Sequence, residues 1–154
     1  MATTAQVLTN QARHVLRSFG ALIAGLFFVV ILSTVTDVLM HATGVFPPWF
    51  TYMADSLFLL ALAYRSVFSI LACYITAWLA PNRPMLHALI LGGIGVLMSA
   101  AGTVATWNKG REFGPRWYGI ALIILSPPLA WLGGKIRLVQ LNAKRTRGST
   151  LMNV

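Results

Sequence analysis

Four apolar runs, each about long enough to cross a lipid bilayer, follow one another along this chain of 154 residues. A transmembrane helix needs about 20 predominantly apolar residues. The runs cover about 18–40, 56–79, 85–107 and 117–134. The segments between them are short and hold the Pro, Gly, Asn and charged residues typical of turns. The sequence therefore predicts a single integral membrane domain over 1–154, of the all-α class, in which the first run stays uncleaved.

Composition and charge favour a membrane protein over a soluble or nucleic-acid-binding one. Hydrophobic residues make up 57% of the chain and charged residues 10%, whereas soluble domains carry about 25% charged residues. The net charge of +9 is spread between and beside the apolar runs, which is typical of membrane orientation rather than nucleic-acid binding. The single cysteine, Cys73, excludes an intrachain disulfide and a thiolate metal site.

The placement of basic residues predicts that both chain ends lie on the cytoplasmic side. Cytoplasmic loops carry an excess of Lys and Arg. With the N-terminus inside, the inner side holds Arg13, Arg17, Arg83, Lys135, Arg137, Lys144, Arg145 and Arg147, and the outer loops hold Lys109, Arg111 and Arg116. All five tryptophans fall at predicted membrane interfaces, where the indole ring is most stable. The predicted fold is a four-helix transmembrane bundle, up-down-up-down and antiparallel, N-in/C-in.

Asp37 and Arg65 are ionisable residues inside the first and second apolar runs. A charge at the bilayer centre costs roughly 2.5–3.5 kcal/mol on insertion scales, so such residues are candidates for function. Ser33, Asp37 and His41 recur at four-residue spacing and share one helix face, and Ser69 lies on the face of Arg65. Two interpretations stay open: a buried pair that fixes the register of the two helices, or an intramembrane site open to the outer side with His41 at its mouth.

Metal, cofactor and enzymatic chemistry find little support in the sequence. Asp37 and His41 are two ligands, too few for a typical zinc site. A bis-histidine haem site is disfavoured because His41 and His87 lie near opposite membrane faces. The chain has no GxSxG, HExxH, CxxC or Walker motif. We therefore predict no metal, no cofactor and no enzymatic activity.

Gly95, Ser99 and Thr103 form a ladder of small residues along the third run. Small residues at this spacing let helix backbones approach closely. The ladder predicts packing inside the bundle, with homodimerisation through the same face as the alternative.

Pro127 and Pro128 lie near the middle of the fourth run. Each proline lacks the N–H that would bond the carbonyl four residues back, so we expect a helix kink there. Ser126 or a water would then satisfy the carbonyls of Ile123 and Ile124.

The segment 135–147 is basic, with apolar residues interspersed. It suits a short cytoplasmic helix on the anionic lipids of the inner leaflet. The expected partners are therefore the bilayer and those lipids, with a homo-oligomer or a larger membrane complex possible and no nucleic acid.

Several phrases occur together in this chain: TDVLMHATGVFPPW (36–49), YR (64–65), LAPNRPMLHALILGGIG (79–95), ATWN (105–108) and AWLGG (130–134). Together they resemble a group of small, uncharacterised four-span bacterial membrane proteins, over roughly residues 18–134. The resemblance implies residence in a bacterial inner membrane. It brings no activity and no catalytic or binding residues.

Two functions from different classes fit these features. The first is a structural or accessory multi-pass membrane protein that acts through helix packing or partner binding. The alternative is a transporter or channel for a small solute or ion that uses Asp37 and Arg65. Access of water to the pair distinguishes them, because an accessory protein would have the pair sealed and a transporter would have a polar pocket that reaches it.

Overall fold

The computed structural model describes the backbone of residues 4–152 and the side chains of residue 6 and residues 11–146. Its four helices are α1 (Thr4–Ala42), α2 (Asp55–Leu79), α3 (Pro84–Thr106) and α4 (Arg116–Met152), with one 3₁₀ turn at Arg111–Phe113. The described backbone contains no strand, and all four helices are long and apolar enough to span a membrane. The predicted all-α, four-helix class is confirmed.

The four helices do not contribute equally to the bundle. The most extensive contact is between α3 and α4, and α2 packs against all three of the other helices. Helix α1 packs mainly on α2 and only lightly on α3. The bundle is therefore a compact group of α2, α3 and α4, with α1 attached along α2.

Two helices extend well beyond the predicted spans. Helix α1 begins at Thr4 rather than near residue 18. Helix α4 continues to Met152, so the basic segment 135–147 is an extension of the fourth helix and not a separate short one. Gly133 and Gly134 lower the helix propensity of this stretch, but both pack closely against neighbouring helices. A Cβ on Gly133 would lie 2.6 Å from the carbonyl oxygen of Ile70, and one on Gly134 would lie 2.7 Å from Sδ of Met85.

The close packing lies in one half of the bundle. We call the end with both termini and the α2–α3 turn the terminal end, and the end with the 43–54 and 107–115 segments the connection end. The core of buried residues lies in the terminal half and consists mostly of small side chains: Ala72, Cys73, Ala77, Ala88, Leu91 and Ala130. In the connection half, only Phe46 and Ala61 are buried among the described residues. The bundle is therefore tight at its terminal half and loose at its connection half.

Glycines set the shortest distances between helices in the terminal half. A Cβ on Gly25 of α1 would lie 1.9 Å from Oγ1 of Thr76 on α2, and one on Gly92 of α3 would lie 2.4 Å from Cβ of Ala130 on α4. Such close approach of backbones is typical of helix packing in lipid, where small residues take the place of a hydrophobic driving force.

The small-residue ladder of α3 lies towards α4. A Cβ on Gly95 would lie 3.4 Å from Oγ of Ser126, and Thr103 packs against Gly119 with its hydroxyl 2.3 Å from the position of a Cβ there. Ser99, between them, is half-buried. Among the glycines of α3, the closest contact is nevertheless at Gly92, one turn closer to the terminal end than Gly95.

Helix α4 runs through Pro127 and Pro128 without interruption. The hydroxyl of Ser126 donates to the carbonyl oxygen of Leu122, at 2.8 Å. Ser126 therefore does not satisfy the carbonyl of Ile123 or Ile124, because its hydroxyl reaches the carbonyl four residues before its own position. A water at those two carbonyls stays a prediction.

Candidate functional site

The carboxylate of Asp37 is held between α1 and α2 by two side chains of α2. The hydroxyl of Tyr64 donates to Oδ1 of Asp37, and Nη2 of Arg65 donates to Oδ2 and forms an ion pair with it. Both carboxylate oxygens are therefore engaged, one by a neutral donor and one by a charged donor. The structure thus brings the two intramembrane ionisable residues into direct contact and adds a phenol to them.

The cluster lies well inside the bundle but leans towards the connection end. Arg65 comes ten residues after Asp55, the first residue of α2, which is about 15 Å along the helix axis. Its side chain extends towards the connection end, as long basic side chains do in a membrane. There its Cζ lies 6.0 Å from the ring centroid of Tyr118, in the first turn of α4. Asp37, Tyr64, Arg65 and Tyr118 together form what we call the Arg65 cluster, built by α1, α2 and α4.

The two tyrosines of the Arg65 cluster were not predicted from the sequence. Tyr64 precedes Arg65 in an apolar run, and a phenol that far from the membrane interface needs a hydrogen-bond partner when buried. That signal could have identified it. Tyr118 follows Trp117 and looks like part of an aromatic belt, so nothing in the sequence distinguishes it as a neighbour of Arg65.

His41 holds the α1–α2 connection in place beside the Arg65 cluster. Its Nδ1 lies 2.8 Å from the carbonyl oxygen of Asp37. Its ring stacks on Trp49, with centroids 3.6 Å apart and planes 3° apart, and meets the edge of Phe46 at 5.4 Å. The buried Phe46 and the stacked Trp49 fold the connection back over the end of α1. His41 therefore lines a cavity between α1, α2 and the connections, and Trp49 covers one face of its ring.

Ser33 and Ser69 lie apart from the cluster. Among the described side chains, neither makes a hydrogen bond to Asp37 or Arg65. Ser33 is half-buried one turn below Asp37, and Ser69 lines a small interior cavity. The spacing predicted that Ser33 shares a helix face with Asp37 and Ser69 with Arg65. It did not predict that neither serine would hydrogen-bond to the charged pair.

Two cavities at the connection end meet at Arg65. The first, of about 290 Å³, lies between α1, α2 and the connections, and we call it the α1–α2 cavity. The second, of about 330 Å³, lies between α3 and α4, and we call it the α3–α4 cavity. Arg65 and Tyr118 line both cavities. The side chain of Arg65 is 33% exposed and that of Asp37 is 19% exposed, so the pair is not sealed inside protein.

A third, interior cavity of about 60 Å³ lies one turn below the Arg65 cluster. Its walls come from α1, α2, α3 and α4 and carry two hydroxyls, those of Ser69 and Ser126. Beyond it the close-packed core fills the terminal half. The space inside the bundle thus narrows from two wide cavities to one small cavity and then closes.

The described residues contain no group of three or more His, Cys, Asp or Glu side chains that could hold a metal ion. No protein-family model, curated protein or solved structure matches this chain. The assignment of function therefore depends on the geometry of the Arg65 cluster and of the cavities that reach it.

Proposed function

We propose that this multi-pass membrane protein is a small transport protein of the bacterial inner membrane, which binds a small solute from the outer side at the Arg65 cluster. The observation that carries the proposal is that Arg65 lines two cavities at the connection end, while the opposite half of the bundle is closely packed.

The positive-inside rule supports an outward direction for these cavities. The terminal end carries Arg13, Arg17 and Arg83 and the basic extension of α4, whereas the connection end carries fewer basic residues and two of the three acidic ones, Asp55 and Glu112. Lys and Arg accumulate on the cytoplasmic side of short loops. The connection end would then face the outside, with the Arg65 cluster accessible from there.

The cavities beside the ion pair support a binding role over a purely structural one. A pair that only fixes helix register needs no cavity next to it, and taking both charges out of water carries a desolvation penalty that the pair repays only in part. A solute site needs a charge held inside the membrane but still within reach. Arg65 lies on the walls of two cavities at the connection end and meets that requirement.

The contrast between the two halves of the bundle supports transport. Alternating access requires a site near the middle of the membrane that is open to one side and closed to the other. The interior cavity lined by Ser69 and Ser126 lies between the Arg65 cluster and the closed half. Opening that half would separate α1 from α2 at Gly25 and α3 from α4 at Gly92, the two closest helix contacts of the terminal half.

The accessory role is a second candidate, and it rests on the outer face of α1. Nine large apolar residues on α1 are at least half exposed: Val15, Leu16, Phe19, Phe27, Val30, Ile31, Val35, Val38 and Leu39. Since α1 packs mainly on α2, this face could contact a helix of a partner protein as well as lipid. In that case the ion pair would only set the register of α1 and α2.

Cysteine accessibility tests the proposal in a Cys73→Ala background, which removes the native thiol. Thr103→Cys lies on the wall of the α3–α4 cavity, and Ser126→Cys lies on the interior cavity. Val104→Cys is the matched control, since Val104 is 76% exposed and does not line that cavity. A thiol in contact with lipid does not react with an impermeant aqueous reagent.

If the protein transports a solute, a different cysteine should react from each side of the membrane. Thr103→Cys should react in right-side-out vesicles and Val104→Cys should not. Ser126→Cys should react in inside-out vesicles, because a transporter must also visit an inward-open state. An unreactive Thr103→Cys would refute a solute site at Arg65 and favour the accessory role. If Ser126→Cys never reacts in inside-out vesicles, the protein binds a solute from outside but does not transport it.

A further inference from the structure

We infer that the solute is an oxyanion, a small organic carboxylate or phosphate, and that it binds in the α3–α4 cavity between the guanidinium groups of Arg65 and Arg116. This inference rests on the proposed function and names the chemical class of its ligand. It is carried by the way in which charges are divided between the two cavities.

The few acidic residues of the chain all lie away from the α3–α4 cavity walls. Asp55 pairs with Arg111 at 3.0 Å. Asp37 and Glu112 line the α1–α2 cavity, and the chain has no other Asp or Glu. The walls of the α3–α4 cavity carry Arg65 and Arg116 and no carboxylate. Asp37 offsets the charge of Arg65 from the α1–α2 side, so the positive charge left without a carboxylate partner on these walls is that of Arg116, and it favours a negatively charged occupant.

Both guanidinium groups keep donors for a ligand. Arginine carries five N–H donors; among the described residues, Arg65 donates to Asp37 from Nη2, and its Nε is unpartnered but buried, so the donors left for a ligand are on the terminal nitrogens. Arg116 forms no salt bridge with any described carboxylate. Its Cζ lies 5.0 Å from the ring centroid of Trp107, which holds it at the cavity wall. Planar guanidinium groups match the two oxygens of a carboxylate or phosphate.

The hydroxyls of the cavity walls add fewer donors than their number suggests. Thr103 donates to the carbonyl oxygen of Ser99 at 2.7 Å, and Thr106 donates to that of Gly102 at 2.9 Å. Those two hydroxyl hydrogens are therefore used within α3. Recognition of an anion would depend on Arg65 and Arg116, with Tyr118 as the polar aromatic wall.

The size and walls of the cavity indicate an anion that also has an apolar part. A volume of about 330 Å³ exceeds what a bare inorganic ion needs. Apolar walls come from Met98, Phe113 and Leu122.

The same chemistry could reach the cavity from two sources, a free solute or the headgroup of an anionic lipid. The test uses the full chain in nanodiscs of zwitterionic lipid. Binding of benzoate, of inorganic phosphate and of choline is measured by calorimetry. We expect wild-type protein to bind benzoate or phosphate and not choline. Adding phosphatidylglycerol to the nanodisc lowers the apparent affinity for the free anion if headgroups compete for the site, and leaves it unchanged if the site takes free solute only.

Two arginine variants form a matched pair for this experiment. Arg116→Gln removes a charge from the α3–α4 cavity, and Arg111→Gln removes one at the same end of the bundle from a residue that does not line that cavity. Arg116→Gln should weaken anion binding by roughly tenfold or more, as expected for loss of a charge-assisted hydrogen bond. Arg111→Gln should change it by less than about twofold, as expected for a distant, screened charge.

Failure of this inference can be told apart from failure of the proposed function. Binding of choline in preference to both anions, or equal losses in the two arginine variants, would overturn the assignment of an anion. The absence of binding by either anion would overturn it as well. If Thr103→Cys still reacts from outside in any of these cases, the solute site stands and only its charge preference is wrong. Benzoate or phosphate bound in the α3–α4 cavity should also slow the labelling of Thr103→Cys. Non-specific association of the anion with the protein surface would not slow it.

Discussion

The replacement of Gly92 by alanine is the sharpest probe of how the terminal half is closed. Gly92 lies where α3 crosses α4, and a Cβ there would be 2.4 Å from Cβ of Ala130. Carbon atoms in proteins pack at about 3.5–4.0 Å. The two helices would therefore have to separate by roughly 1–1.5 Å at this point to accept one methyl group.

The neighbouring glycine allows the size of this effect to be isolated. Overpacking a well-packed core costs about 1–3 kcal/mol, while replacing a helical glycine by alanine gains up to about 1 kcal/mol in propensity. A Cβ on Gly93 would meet nothing within 4 Å, so Gly93→Ala receives the propensity gain alone. The free energy of unfolding should thus be lower for Gly92→Ala than for Gly93→Ala by about 1–3 kcal/mol.

Reversible unfolding of the purified protein in mixed micelles, followed by circular dichroism, measures this difference. Both variants remove a glycine at adjacent positions of α3, so effects on helix propensity and insertion cancel in the comparison. Equal stabilities for the two variants, or a less stable Gly93→Ala, would mean that α3 presents another face to α4 and that the described packing is wrong.

Three further predictions follow from the charges and the small residues. Asp37→Ala and Arg65→Ala should each lower stability, and the double variant should lose less than their sum, with a coupling of about 0.5–3 kcal/mol in the same unfolding assay; strict additivity would show that the two groups do not touch. Gly95→Leu should lower the melting temperature in detergent, because Ser126 already lies at contact distance; an unchanged value would place that face towards lipid. In intact cells, Lys109→Cys should react with an impermeant thiol reagent and Asn82→Cys should not. The reverse pattern would show that the topology is the opposite of the predicted one.

The sequence predicts the membrane-embedded part of the fold well because hydrophobic length is a strong local signal. Each helix of the structure covers one predicted span to within one residue. The start of α1 was not predicted, and the basic segment was predicted as a separate short helix, because a helix outside the bilayer has no apolar run to mark its extent. In α4, Gly133 and Gly134 lower helix propensity, and their contacts with α2 and α3 show why the helix continues.

The charged residues of the site could be found from the sequence, but its surroundings could not. An aspartate and an arginine inside apolar runs stand out by their energetic cost, and four-residue spacing places them on definite helix faces. The role of Arg116 depends on which side of α4 borders a cavity, and that is decided by packing between α3 and α4. The same holds for Tyr118, whose ring lies beside Arg65 through the tertiary fold alone.

The division of the bundle into a tight half and a loose half also escapes sequence reasoning. Small residues occur along the whole of α3, from Gly92 to Thr103. In the terminal half they meet other small residues and close the space, as at Ala130. In the connection half they border the α3–α4 cavity, where Ser99 and Thr103 form part of the wall. The same small residues therefore pack closely in one half and border a cavity in the other. Which of the two occurs depends on the residues that face them.

A high-resolution structure of the protein in lipid nanodiscs tests the central claim most directly, because it shows what occupies the space next to Arg65. We expect ordered water or solute in contact with its guanidinium, continuous with the solvent at the connection end through the α3–α4 cavity, and an ion pair between Arg65 and Asp37. Acyl chains or protein side chains filling both cavities, with no polar density at Arg65, would contradict it.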